Sequence, residues 1–331
     1  MATIIQENNP SPTPNVATPG GKGTVVIGGG TGFIGSHLSR HLTNIGYQVR
    51  HLSRDPKPGG KYLTFKWDTE TGDIDQAALY GADYVINLAG AGIADKRWTA
   101  KRKQVIIKSR TETTALLAKG IAKMDVKPKL YLSASAIGYY GNRGDDVVTE
   151  HDGPRAGFLS RSCILWEDST NLIATQGVPV FINRTGVVLH PKNGALSKML
   201  LPLKAGTSTY FGSGMQYFSW IHIEDIIRVY SHAIEHNLVG VYNGVAPNPV
   251  RNKDFAKALG PAAGKKALVI PAPEIALKMA MGEMSHTVLD SAYVSSEKLQ
   301  ETGFAFMHPE LSQALIDLLR GAGVPTPSPS A

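Results

Sequence analysis

A glycine-rich turn constrains this chain more than any other segment. Gly29-Gly30-Thr31-Gly32-Phe33-Ile34-Gly35 follows a short β-branched run, Gly23-Thr24-Val25-Val26-Ile27, and leads into Ile34, Leu38, Leu42 and Ile45, spaced along one helical face. Gly46 then stops the helix. A glycine motif alone is weak evidence, but one set between a strand and a helix is specific. Gly29 makes the tight turn, Gly32 lets backbone approach a pyrophosphate, and Gly35 permits close helix–strand packing. The diphosphate then lies at the positive helix N-terminus, where free N–H groups point at it. The segment therefore predicts a bound dinucleotide, with Gly29, Thr31, Gly32, Phe33, Ile34 and Gly35 as its contacts.

The strand–helix rhythm repeats downstream. Strands are expected at 48–52, 84–88, 129–133 and 178–183, with helices at 101–124 and 158–175. Such alternation implies an α/β fold, a Rossmann-type doubly wound parallel sheet. After Arg184 the pattern loosens into a Gly-, Pro- and aromatic-rich stretch, followed by a helix near 223–235. Shorter elements are expected at 253–259, 267–270, 274–281 and 309–319. The expected organisation is a flexible tail at 1–22, a cofactor-binding domain at 23–185, a smaller C-terminal α+β substrate-side domain at 186–320, and a second tail at 321–331. Residues 219–245 are expected to pack back onto the first domain.

Composition narrows the class. With 331 residues, 42% hydrophobic and 18% charged, the chain reads as a soluble globular protein, and no run approaches a membrane span. The single cysteine, Cys163, excludes an internal disulfide framework and a cysteine-based zinc cluster, and suits the cytoplasm. Its apolar surroundings read as helix packing. Residues 1–22 carry no apolar h-region and no arginine, unlike a secretory signal or a transit peptide. The formal charge of +7 is partly concentrated at 96–110, where Trp98 is the only aromatic. That segment reads as a solvated helix face or an attractor of phosphorylated ligands, so no nucleic-acid partner is expected.

The end of the second strand discriminates between cofactors. NAD sites usually place an acidic residue there to bond the ribose hydroxyls. Here the strand ends His51-Leu52-Ser53-Arg54, with Asp55 one residue too late. A hydroxyl beside a guanidinium suits a 2′-phosphate, which predicts NADP(H).

Several further motifs carry a family resemblance. These are Asn87-Leu88-Ala89-Gly90-Ala91-Gly92-Ile93 with Arg97-Trp98, Ser109-Arg110 with Thr113-Thr114, and Ser133-Ala134-Ser135-Ala136-Ile137-Gly138-Tyr139-Tyr140-Gly141. Trp166-Glu167, Arg184-Thr185-Gly186-Val187-Val188-Leu189, Trp220-Ile221-His222-Ile223-Glu224-Asp225, Tyr242-Asn243-Gly244-Val245-Ala246-Pro247 and Pro309-Glu310-Leu311 continue them. Together the chain resembles the atypical branch of the extended short-chain dehydrogenase/reductase superfamily: the epimerase-family, sugar nucleotide epimerase-like proteins with a small C-terminal domain of unknown function. The resemblance implies that Ser53, Arg54, Leu88, Ala89, Gly90, Arg110 and Val188 line the NADP site, with Arg110 reaching a phosphate.

Active members of that superfamily pair a tyrosine with a lysine four residues later. The lysine lowers the tyrosine pKa for proton exchange during hydride transfer. Only Tyr62–Lys66 has that spacing here, and it precedes the Asn87 strand. Where the pair belongs the chain reads Phe158-Leu159-Ser160-Arg161-Ser162-Cys163. The remaining catalytic candidates are Ser133 and Ser135, to polarise a substrate oxygen, and Tyr139 or Tyr140, to supply a proton. His222 and Asp225 share a helical face, where capping or packing is the expected role, and no metal site is expected. Two functions stay open: an oxidoreductase or epimerase-like enzyme acting on a small polar or nucleotide-linked substrate, or a non-catalytic NADP(H) sensor or partner-binding protein.

Overall fold

The structure, a computed structural model, describes residues 21–320. Its centre is an eight-stranded sheet of β1 (Thr24–Gly28), β2 (Gln48–Ser53), β3 (Leu63–Asp68), β4 (Asp73–Ile74), β5 (Tyr84–Asn87), β6 (Leu130–Ala136), β7 (Val180–Thr185) and β8 (Gly240–Gly244). The spatial order is β8-β7-β6-β5-β1-β2-β3-β4. Every pairing is parallel except β3 with β4. This is the expected α/β, doubly wound architecture.

Alternation along β1 explains why both faces must be covered. Val25 and Ile27 join a core with Leu38 and Leu42 of α1 (Phe33–Asn44). Val26 points the other way, to Leu116, Leu117 and Ile121 of α2 (Ala100–Ala122). Each such side chain contributes roughly 1.5–3 kcal/mol on full burial. On the second face α2 packs on α3 (Phe158–Ser169); on the first, α1 packs on α4 (Ile223–His236).

The core on the α1 face also takes in Phe255 and Leu259 of α5 (Asn252–Ala262), and Leu315 and Leu319 of α6 (Leu311–Arg320). Beyond the main sheet, short pairs tie later segments to earlier ones. Val187–Leu189 lies beside Trp220–His222, and Val147–Val148 beside Tyr293–Val294.

Three local readings need correction. β3 and β4 follow β2, where no strand was expected. The helix expected through 175 is interrupted at Thr170, where the hydroxyls of Ser169 and Thr170 bond back to the Trp166 and Glu167 carbonyls, and it resumes as a short helix at Asn171–Ala174. Lys22, expected in the first tail, ion-pairs with Glu235. The rest of that tail, residues 1–20, and the tail at 321–331 lie outside the described residues. Among the described residues no helix is long and apolar enough to cross a membrane.

Candidate cofactor and active site

At the glycine turn, side chains are excluded by geometry. Gly29 sits at φ +80°, and a Cβ there would lie 2.9 Å from the Ala89 amide nitrogen. A Cβ on Gly35 would lie 2.2 Å from the Gly29 carbonyl oxygen, so nothing larger than hydrogen fits. Gly32 occupies the N-cap of α1 without a side-chain cap, and the first turn holds no acidic residue. The helix therefore presents uncapped N–H groups at an exposed turn, the donor set a diphosphate requires. Behind the turn, His51 bonds Ser39 at 2.7 Å, and burial pushes its pKa down to about 4.

The other expected cofactor residues are brought to the same sheet edge. Ser53 ends β2 and accepts the Asp55 N–H at 3.2 Å, while Arg54 is exposed. Leu88 and Ala89 pass directly behind Gly29, and Gly90 follows, exposed. Val188 reaches the turn through Gly194, whose Cβ position lies 3.4 Å from the Val188 oxygen and 3.8 Å from Phe33. Thr31 and Ile34 complete the loop and the first turn. Arg110 also holds backbone. Its guanidinium donates to the Ala91 and Ile106 carbonyls at 3.0 and 2.9 Å and lies 4.8 Å from the Trp166 ring centre, so it braces the 89–93 loop.

On the β6 side, polar groups close on one another. Ser135 is buried and donates to Glu167 Oε1 at 2.6 Å. Arg184 grips the same carboxylate twice, at 2.9 and 2.8 Å, and donates to the Tyr140 hydroxyl at 3.0 Å. Tyr140 in turn donates to Asn243 at 2.7 Å. Burial opposes the Arg184 charge, but Glu167 more than restores it and raises the pKa above the ordinary arginine value. Burial pushes Tyr140 up to about 12 despite the nearby guanidinium.

This arrangement corrects two catalytic expectations. Tyr140 is fully buried with its hydroxyl committed on both sides, and Ser133 is fully buried with its hydroxyl donated to the Ala134 carbonyl. Tyr139 is half-buried, with the Arg184 guanidinium 3.4 Å above its ring. Its hydroxyl makes no hydrogen bond among the described residues. Cys163 is buried and its thiol is pushed up to about 12 by burial, consistent with the packing role read from its neighbours.

A cavity of about 90 Å³ opens at the start of α3, between Gly141, Gly157, Phe158, Trp98 and a later segment carrying Glu283, His286 and Asp290. His286 Nδ1 and Asp290 Oδ1 lie 2.9 Å apart. The sequence reading missed this pair; its only signal is the one-turn spacing of His286 and Asp290. The His222–Asp225 pair takes the capping and packing role expected of it. His222 caps α4 by accepting the Glu224 N–H, while the buried Asp225 carboxylate holds the Met307 and His308 amides.

Parallel strands ending at a bare glycine turn, with a cavity at the same carboxyl edge, define a Rossmann-type dinucleotide-binding protein. The chain belongs to the NAD dependent epimerase/dehydratase family, which residues 25–244 match, and residues 272–318 match a domain of unknown function, DUF1731. It is 36% identical over 303 residues to the human epimerase family protein SDR39U1, covering 89% of this chain and 99% of that one. A crystal structure of the human protein (isoform 2) with NADPH superposes at TM-score 0.81 and 34% identity, covering 90% and 99% of the two chains. Identity to the Bacillus subtilis epimerase family protein YfhF is 36% over 299 residues, covering 89% and 97%.

Proposed function

We propose that this chain is an NADPH-dependent oxidoreductase acting on a small polar carbonyl compound or the matching alcohol. The observation that carries the reading is the His286–Asp290 pair, which lines a cavity at the same sheet edge as the glycine turn. Bound NADPH supplies a hydride to the carbonyl carbon. Its diphosphate suits the uncapped end of α1, and Ser53 and Arg54 suit its 2′-phosphate. The human relative crystallised with NADPH supports the same choice.

Proton transfer then falls to this chain's own side chains. Asp290 accepts from His286 Nδ1–H, so the protonated ring gives its Nε2 proton to the oxygen of a carbonyl being reduced, and the neutral ring takes a proton at Nε2 from an alcohol being oxidised. Ser135 donates inward to Glu167, so only its lone pairs remain to orient a substrate hydroxyl. The small cavity favours a small substrate over a nucleotide-linked one, and its two carboxylates are already paired, Glu283 with Lys103 and Asp290 with His286. A cytoplasmic setting fits the single cysteine.

The test is NADPH consumption with a panel of small aldehydes and ketones, repeated with His286→Gln. Turnover that falls at least about 100-fold in the variant, with NADPH affinity unchanged, supports the assignment. A second reading rests on the closed Ser135–Glu167–Arg184–Tyr140 network: a protein that binds NADPH and signals its level. Tight NADPH binding without turnover on any carbonyl would favour that reading.

A further inference from the structure

A second and larger cavity, of about 430 Å³, lies between the outer face of α1, the turn at 190–192, and the junction of α4 with α6, and His190 in its wall packs 5.3 Å from the Phe33 ring. Arg40 and Lys192 stand in its wall and form no ion pair among the described residues. Its acids are already engaged: Glu224 lies 3.3 Å from His308 Nε2, and Asp317 lies 3.4 Å from His222 Nε2. The wall is formally balanced, two cations against two carboxylates, but each carboxylate lies against an imidazole while Arg40 and Lys192 stand without an ion-pair partner among the described residues.

Two imidazoles in the wall have their tautomers fixed by backbone. His190 Nδ1 accepts the Lys192 N–H at 3.2 Å, and His222 Nδ1 accepts the Glu224 N–H at 3.1 Å. A neutral imidazole that accepts at one nitrogen carries its proton on the other. Burial pushes the pKa of both rings down, that of His222 to about 3, so both are neutral near pH 7. Each then presents an Nε2–H donor. The His222 side chain is only 3% exposed, and its Nε2 lacks a hydrogen-bond partner, the Asp317 oxygen being misaligned. A buried donor left unpaired is costly, so an acceptor is the missing component.

We propose that this cavity binds an oxyanion, the phosphate of a small phosphorylated molecule, between Arg40, Lys192 and the Nε2–H donors of His190 and His222. A ligand oxygen takes the place beside His222 that Asp317 fills poorly. His222, His308 and Asp317 also lie close enough to suggest a metal centre. The tautomer argues against it: a metal needs the Nε2 lone pair, and the cap on α4 leaves a proton there.

The test is calorimetric titration of the full chain, saturated with NADPH so that the glycine turn is occupied. The probes are inorganic phosphate and ribose 5-phosphate at constant ionic strength. We expect saturable binding, tighter for the larger probe because the cavity exceeds a bare phosphate. The Arg40→Ala/Lys192→Ala double variant, altered only at exposed positions, should weaken it at least about tenfold. Asp317→Asn should strengthen it by about two- to fivefold, because one opposing charge is removed. Wild-type protein that ignores both probes overturns the proposal, as does binding indifferent to the double variant. So does stoichiometric zinc binding that Asp317→Asn abolishes.

Discussion

The two halves of the sheet's carboxyl edge treat their polar groups in opposite ways. Around Gly29–Gly35, donors are left free: α1 has no side-chain cap, no acid in its first turn, and no room for a Cβ on Gly35. Around β6 and β7, the donors of Ser135, Arg184 and Tyr140 are spent, because with Glu167 and Asn243 they form one continuous chain of bonds. An open donor set stores affinity for an anion that arrives later. A closed network stores stability instead, and its protons are already shared. The first half is built to bind and the second to hold shape, which moves the search for an acid/base to the His286–Asp290 pair.

The sharpest way to break this contrast is at Gly35. Gly35→Ala puts a Cβ 2.2 Å from the Gly29 oxygen, so the turn has to open. NADPH affinity, followed by the fluorescence of the bound nicotinamide, should fall by about 100-fold or more. A variant that binds like the wild type would show that the turn is not the cradle.

On the closed side the large effect should be on stability. Glu167→Gln keeps the shape but leaves the Arg184 guanidinium, 5% exposed, without its counter-charge. Urea unfolding should register a loss of roughly 3–5 kcal/mol, with NADPH affinity changed by less than about threefold. A well-packed Glu167→Leu/Arg184→Met pair should recover most of that loss, as replacing both partners of a buried ion pair often does. If Glu167→Gln instead cost binding and not stability, the division between the halves would fail.

How much of this was legible from the chain follows the same division. The glycine turn, β1 and α1 were readable because one local motif dictates turn, strand and helix together. Glu167 and Arg184 stood in recognisable motifs, yet their bonding was not legible, since it joins residues on different elements. Serine and tyrosine beside a glycine look alike whether they face a cleft or a core. Only the register of β6 against β7, with Ser135 opposite Arg184, shows that these face inward. The bonds of Arg110 were not legible for a related reason: they run to the Ala91 and Ile106 carbonyls, and the first of these lies on another segment.

Acid should strain the binding half through His51. Its pKa falls from 6.5 unfolded to about 4 in the fold, so its contribution is fully present above pH 6.5 and is lost as pH drops through 4. The total is on the order of 3 kcal/mol. Urea midpoints measured from pH 7 to 4 should slope downward, and His51→Gln should flatten that part of the slope. An unchanged slope in the variant would assign the acid loss to other groups, such as His222.

The smallest effect should fall on cofactor choice, where the binding half meets solvent. Arg54 is exposed and Ser53 is turned toward the Asp55 amide, so neither residue supports the fold. Their value lies in the 2′-phosphate alone. The wild type should bind NADPH at least about tenfold more tightly than NADH, and Arg54→Ala should bring the two affinities together without moving the urea midpoint. Paired titrations measure this directly. Equal affinities in the wild type would leave the glycine turn intact as a dinucleotide cradle while removing NADPH specificity. A variant that lost NADH and NADPH alike would put Arg54 on the shared diphosphate and make the turn less self-sufficient than its uncapped helix implies.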